Sequence, residues 1–243
     1  MTRRFQAAAL VIAAITLAGC VSYTRVRLDP PIRFLLVGDS LMQGYFGFML
    51  EKRLRETPGV RAARIAVKST GLSEFIRYDW HGRTLLYIRQ YRPDVLVLLF
   101  GGNDCYALRR ENGTLIMFTS DEWRNEYAAR LDGYLDAIAP LVKRVYLVGP
   151  PSTDHPYFRE RYPVLNDLFR ERCRKHRGVR YVPAWEMTSE RGTFVAVMKD
   201  SRGIAGRVKY PDDPIHHTPF GGQVLAERFL DYISDEFRAA SAR

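Results

Sequence analysis

The chain has 243 residues, 47% of them apolar, and a formal net charge of +10 at neutral pH. That length suits one α/β unit, and its ordinary apolar content supplies a full core. No lysine-arginine block is long enough for a nucleic-acid arm, and no cysteine-histidine set has zinc spacing. The positive charge reads as a solvated basic surface, or as attraction to anionic lipid headgroups or acidic glycans.

Residues 1–19 read as a targeting segment and are set aside from fold reasoning. Arg3 and Arg4 give a positive start. Ala7 to Leu17 is an apolar stretch too short for a comfortable membrane span. It ends in Leu17-Ala18-Gly19-Cys20, which resembles a bacterial lipobox. The resemblance implies that Cys20 is lipidated and becomes the first mature residue, leaving the protein exported and tethered to the periplasmic face of a bacterial membrane. The alternatives are an ordinary secretory peptide or an uncleaved anchor. Residues 20–30 then read as a linker closed by Pro30-Pro31, and residues 31–243 as the folded unit.

An apolar run broken only by Arg33 predicts a first strand over 32–37, and a helix follows over 41–55, with Phe46, Met49, Leu50 and Leu54 at helical spacing. Pro58-Gly59 breaks it. A second strand is predicted over 63–67, a helix over 82–91, and a third strand over 95–100, apolar throughout as in a parallel sheet buried on both faces. Residues 106–119 read as an insertion, with Asn112-Gly113 marking a hairpin. Thr119-Ser120-Asp121-Glu122 reads as a capping box opening a helix to 139. A fourth strand follows over 145–148, a helix over 156–176 interrupted by Pro163, and a fifth strand over 179–182. Residues 186–215 lack periodicity, and a last helix spans 220–239. Alternating strands and helices predict a parallel sheet covered on both faces.

Four short blocks carry chemistry. Gly38-Asp39-Ser40 follows the first strand, which leaves a hydroxyl at the open end of the sheet. Ser40 becomes a nucleophile only when a base takes its proton. His216 is the candidate base, and Asp213, three residues earlier, the group that orients its ring. His217, with Asp213 or Asp212 behind it, is the competing assignment. Gly71, after the second strand, and Asn103, after the third, can supply donors to a tetrahedral oxyanion, with the Ser40 N–H as the third. Each block alone also reads as turn chemistry, Ser40 as a helix cap included. Asp39 and Asp104 read as loop ties. No metal or organic cofactor is called for. Ser40 lacks the Gly-x-Ser-x-Gly elbow of the α/β-hydrolases.

Gly-Asp-Ser-Leu, then Gly71, then Gly-x-Asn-Asp, then Asp-x-x-His resembles the SGNH (GDSL) hydrolase superfamily over 32–235. The resemblance maps the signature residues onto Ser40, Gly71, Asn103 and His216, with Asp213 as third triad member. It implies a three-layer, flavodoxin-like α/β fold with a five-stranded parallel sheet in the order 2-1-3-4-5. Lys68-Ser69-Thr70-Gly71-Leu72, Asp79-Trp80 and Gly149-Pro150-Pro151 are similar to an exported bacterial branch of that superfamily. Related branches act on O-acetyl groups of envelope polysaccharides. Gly102, Cys105, Pro214 and His217 depart from the usual pattern and bear on substrate fit.

The expected function is a serine esterase that hydrolyses or transfers a short acyl group on carbohydrate. Two other readings stay open: a lysophospholipase- or thioesterase-type lipid esterase, and a non-catalytic subunit of a polysaccharide-modifying complex. Lys68 and Trp80 are candidate pocket residues, a charge for an anionic group and a face for sugar stacking, or else a surface lysine and a core tryptophan. Tyr106 and Phe220 are either pocket lining or packing. Cys105 and Cys173 are expected to be unpaired, with Cys105 at the pocket rim or a disulfide between them as alternatives.

Overall fold

The computed structural model describes residues 28, 30–73, 78–110, 112–118 and 120–237. In chain order its first half comprises β1 (Ile32–Gly38), α1 (Ser40–Gln43), α2 (Tyr45–Glu56), β2 (Val60–Ala66), α3 (Trp80–Tyr91), β3 (Val95–Leu99), β4 (Leu108–Arg109), β5 (Leu115–Ile116) and α4 (Asp121–Ile138). The second half comprises β6 (Arg144–Val148), α5 (Pro156–Arg159), α6 (Arg161–Cys173), β7 (Val179–Val182), α7 (Ala184–Met187), β8 (Ser189–Glu190), β9 (Thr193–Phe194), β10 (Val197–Lys199), β11 (Ala205–Arg207) and α8 (Pro219–Phe237). Cys20 and residues 1–27 lie outside the described residues.

The five long strands pair in parallel in the order β2-β1-β3-β6-β7, which is 2-1-3-4-5 when only those strands are counted. Every residue of β3 and β6 is buried, because helices cover both faces. Successive side chains alternate between those faces. Leu35, Val37, Leu96 and Leu98 join one core with Trp80, Trp123, Tyr127, Leu131 and Phe169, under α3, α4 and α6. Phe34, Leu36, Val97 and Leu99 join the other with Phe46, Leu50, Leu225 and Phe229, under α2 and α8. The three-layer expectation is met.

Boundaries moved where local backbone chemistry overrode periodicity. The helix expected over 41–55 is two helices meeting at Gly44, whose backbone is extended. The helix expected over 156–176 divides at Glu160 and not at Pro163. Pro163 sits in the first turn of α6, where a missing N–H leaves no intrahelical bond unmade. The 106–119 insertion does form a hairpin, with Leu108 opposite Ile116. Residues 186–215 hold two more, β8–β9 and β10–β11, too short to show a period of two.

One charged group fastens α8 to the sheet. Glu236 is buried and accepts hydrogen bonds from Arg144 Nε at 2.8 Å, Tyr146 Oη at 2.7 Å and Arg180 Nη1 at 2.9 Å. Thus a paired charge ties the last turn of α8 to β6 and β7, beside the apolar contact that Phe229 and Ile233 make in the core below it.

Candidate active site

The site begins at the carboxyl end of β1, beside the neighbour β3, where the strand order reverses; ligands of open α/β sheets bind at such switch points. A Cβ on Gly38 would overlap the Leu99 carbonyl oxygen, so only glycine lets β1 run this close to β3. Asp39 then caps α1 through a 2.8 Å bond from Leu41 N–H. Ser40 is the first residue of α1 and not its cap, which leaves its side chain available.

His216 reaches Ser40 from the far end of the chain. Its Nε2 lies 3.0 Å from Ser40 Oγ, and its Nδ1 lies 2.7 Å from Asp213 Oδ2. A carboxylate only accepts, so Nδ1 carries the proton and Nε2 offers its lone pair to the Ser40 hydroxyl. Asp213 Oδ1 also accepts from the N–H groups of Ile215 and His216, each at 3.2 Å. Partial burial opposes ionisation of Asp213, but its bonds to the His216 ring and backbone hold its carboxyl below the usual range. It therefore remains an anion at neutral pH.

His217 has no such role. It is buried, its Nε2 has no hydrogen-bond partner, and burial drives its ring strongly toward the neutral form. The turn thus aims His216 at Ser40 and His217 inward.

Three loops are knotted together around Ser40. Asp39 Oδ2 accepts from Gly102 N–H at 2.9 Å, joining the Ser40 turn to the Asn103 turn. Asn103 Nδ2 donates to the Thr70 carbonyl at 2.9 Å, joining that turn to Gly71. Its second amide hydrogen is left for a ligand. Among the described residues no hydrogen bond uses the N–H of Ser40 or of Gly71. Asp104 is buried and accepts from Ser73 N–H at 2.7 Å; a Cβ on Gly71 would overlap its Oδ1. Asp39 and Asp104 act as loop ties.

The two ties make stability depend on pH. Burial and the nearby Asp104 charge push the Asp39 carboxyl up to about 8, against the pull of its N–H partners. Burial raises Asp104 as well. Between the ordinary carboxylate value and about 8 the folded chain holds a proton that the unfolded chain has lost. Stability therefore falls as pH rises through that window and is flat above it. Asp39→Asn should be less stable at acidic pH, since one N–H loses its acceptor, and should lose much of that slope. Melting temperatures from pH 4 to 9 check this; an unchanged slope would contradict it.

The His216 loop has supports that the sequence did not advertise. Lys209 and His217 face each other in an antiparallel bridge, so residues 210–216 form the tip of a hairpin. Lys209, almost fully buried, donates from Nζ to the Ile215 carbonyl at 2.6 Å. Burial pulls its ammonium down to about 7, although the Asp213 and Asp154 charges favour it. Thr153 Oγ1 donates to the Pro214 carbonyl at 2.7 Å. A lone lysine and a lone threonine carry no motif, so neither could be picked out beforehand.

The other candidates take varied places. Lys68 is exposed in the turn after β2. Trp80 is buried at the start of α3 and donates its indole N–H to Thr70 Oγ1 at 3.1 Å, while its ring packs on Tyr78 and Phe100. Tyr106 is exposed and stacks on Tyr157, and Phe220 packs against Gly206. Cys105 and Cys173 are separate buried thiols, which moves Cys105 from the pocket rim into the core.

Comparison with solved structures bears on the fold. The chain is similar to a catalytic mutant of Axe2, an acetylxylan esterase from Geobacillus stearothermophilus, with 16% identity and a TM-score of 0.58 over 85% of this chain and 95% of that one. It is similar to LAE5, an α/β hydrolase enzyme from the metagenome of Lake Arreo in Spain, at 17% identity and a TM-score of 0.57, covering 85% and 97%. It is also similar to TesA at 15% identity and a TM-score of 0.55, covering 84% and 99%. These likenesses establish the fold. No curated protein sequence matches the chain. Residues 33–232 match the family described as a protein of unknown function, DUF459, and the chain belongs to that family.

Proposed function

We propose that this protein is a serine esterase that removes or transfers short O-acyl groups, of the acetyl class, on cell-envelope carbohydrate. The observation that carries the reading is the relay from Ser40 Oγ to His216 Nε2 at 3.0 Å and from His216 Nδ1 to Asp213 Oδ2 at 2.7 Å. Ser40 Oγ attacks the ester carbonyl while His216 takes its proton. Asp213 orients the ring and stabilises the imidazolium. The Ser40 and Gly71 N–H groups and Asn103 Nδ2 receive the oxyanion. His216 then returns the proton to the departing alcohol, leaving Ser40 acylated. Water, or a sugar hydroxyl activated by His216, releases the acyl group.

The acetylxylan esterase among the solved structures supports an acetylated glycan as substrate class. The Leu17-Ala18-Gly19-Cys20 motif supports export and fatty acylation at Cys20, which would hold the enzyme at the envelope.

Aryl esters from acetyl to dodecanoyl test the reading. The specificity constant should be greatest for acetyl and fall by about tenfold or more by octanoyl, since each extra methylene needs apolar surface to receive it. A preference for dodecanoyl would favour a lipid esterase instead. No turnover of any ester by folded protein would leave a non-catalytic subunit.

A further inference from the structure

Beside Gly71 the surface opens into a cavity of about 860 Å³, within the range of small-ligand sites. Its walls include Gly71, Leu72, Tyr78, Glu126, Arg130 and Gly133. It therefore adjoins the oxyanion glycine yet reaches away from Ser40, between the start of α3 and the middle of α4.

We propose that this cavity is the glycan subsite of the esterase: it holds neutral sugar residues on the alcohol side of the ester bond. The inference rests on the serine-esterase reading for its chemistry, but the cavity's own composition selects the ligand. Among the described residues Arg110, Arg130, Asp79 and Glu126 line it, so two guanidinium groups face two carboxylates. A fatty acyl chain there would strip water from those charges without replacing its hydrogen bonds. A polyanion would meet as much repulsion as attraction. A neutral glycan suits both parts of the wall, with hydroxyls that donate to carboxylates and accept from guanidinium groups, and ring faces that lie against Leu72 and Tyr78. The polar wall is braced in advance. Arg130 donates to Glu126 Oε1 at 2.8 Å and to the Ser73 carbonyl at 2.8 Å, and Arg110 pairs with Glu122 at 2.5 Å. Binding therefore orders few long side chains.

An independent feature of α4 points the same way. Glu126, Ala129, Arg130 and Gly133 share one face at helical spacing, and all four line the cavity. Glycine is a poor helix former, and at Gly133 nothing lies within 4 Å of where a Cβ would stand. Among the described residues no packing contact demands glycine at this position. Its effect is to leave the mouth of the cavity unobstructed.

Gly133→Trp tests the proposal, because its Cβ has no described neighbour within 4 Å and its indole extends into the mouth. Glu126→Ala is the second variant, removing an acceptor at the surface. Chemically acetylated cellohexaose is compared with p-nitrophenyl acetate and p-nitrophenyl decanoate. Both variants should lower the ratio of kcat/KM for the hexasaccharide to that for p-nitrophenyl acetate by about tenfold or more, through KM. Calorimetry with Ser40→Ala protein should show the same weakening for the hexasaccharide when Gly133→Trp is added. A ratio unchanged within about twofold, or a loss confined to the decanoate, overturns the glycan subsite. If no ester is turned over, binding decides. Hexasaccharide that binds Ser40→Ala protein and is displaced by Gly133→Trp keeps the subsite while the esterase reading fails. Absent or unaltered binding overturns the subsite.

Discussion

Ser40→Ala is expected to reduce ester turnover by a factor on the order of 10⁶ while leaving the fold intact. The hydroxyl makes one hydrogen bond, to His216 Nε2, so its loss leaves little unsatisfied in the folded chain. Its loss leaves catalysis without a nucleophile. His216→Ala should cost a similar factor, since the serine would then have no base. Because the two act as one unit, the double variant should be no worse than either single one. Asp213→Asn should cost about 10⁴-fold, since an amide no longer enforces a proton on Nδ1. Steady-state rates with p-nitrophenyl acetate, alongside circular dichroism, check the set. Additive losses in the double variant would contradict a shared relay.

The largest expected effect on stability lies far from the site. Glu236→Ala removes the acceptor of hydrogen bonds from Arg144, Tyr146 and Arg180, all drawn from β6 and β7. The Arg144 and Glu236 side chains are 2% and 4% exposed, so water cannot stand in for the missing carboxylate. Breaking one side of a buried charge pair costs about 3–5 kcal/mol. For a chain of this size that lowers the melting temperature by roughly 6–20 °C. The adjacent Asp235 is the natural control. Its side chain is 65% exposed and meets Arg180 at 3.4 Å, so Asp235→Ala should change stability by less than about 0.5 kcal/mol. Urea titrations of the three proteins decide the matter; equal losses would show that burial does not set the cost.

Much of this architecture is legible in the chain. The β1 and β3 runs, Arg33 apart, are apolar without alternation because helices cover both faces, so strand positions could be read from them, whereas the sheet order followed from the resemblance to SGNH hydrolases. The Asp213–His216 pair was legible because the two meet within one turn, where spacing in sequence is distance in space. What failed to show depends on contacts between distant segments. Lys209 reads as a surface residue until the hairpin closes over it. Glu236 looks like one more polar residue on α8 until β6 and β7 bring two arginines to it. The breaks at Gly44 and Glu160 turn on one residue's backbone conformation, which hydrophobic periodicity does not record. Cys105 carries no signal of burial, because it stands beside polar motif residues while its sulfur faces the Gly101 carbonyl inside the core.

The proposed esterase requires that His216 activate Ser40 as a nucleophile. The most direct test is covalent capture with a fluorophosphonate, followed by intact mass measurement and peptide mapping. One adduct is expected, on Ser40, that forms rapidly in the parent protein, is absent in Ser40→Ala and forms far more slowly in His216→Ala. Folded parent protein that stays unlabelled at Ser40, or labels equally fast without His216, would contradict it.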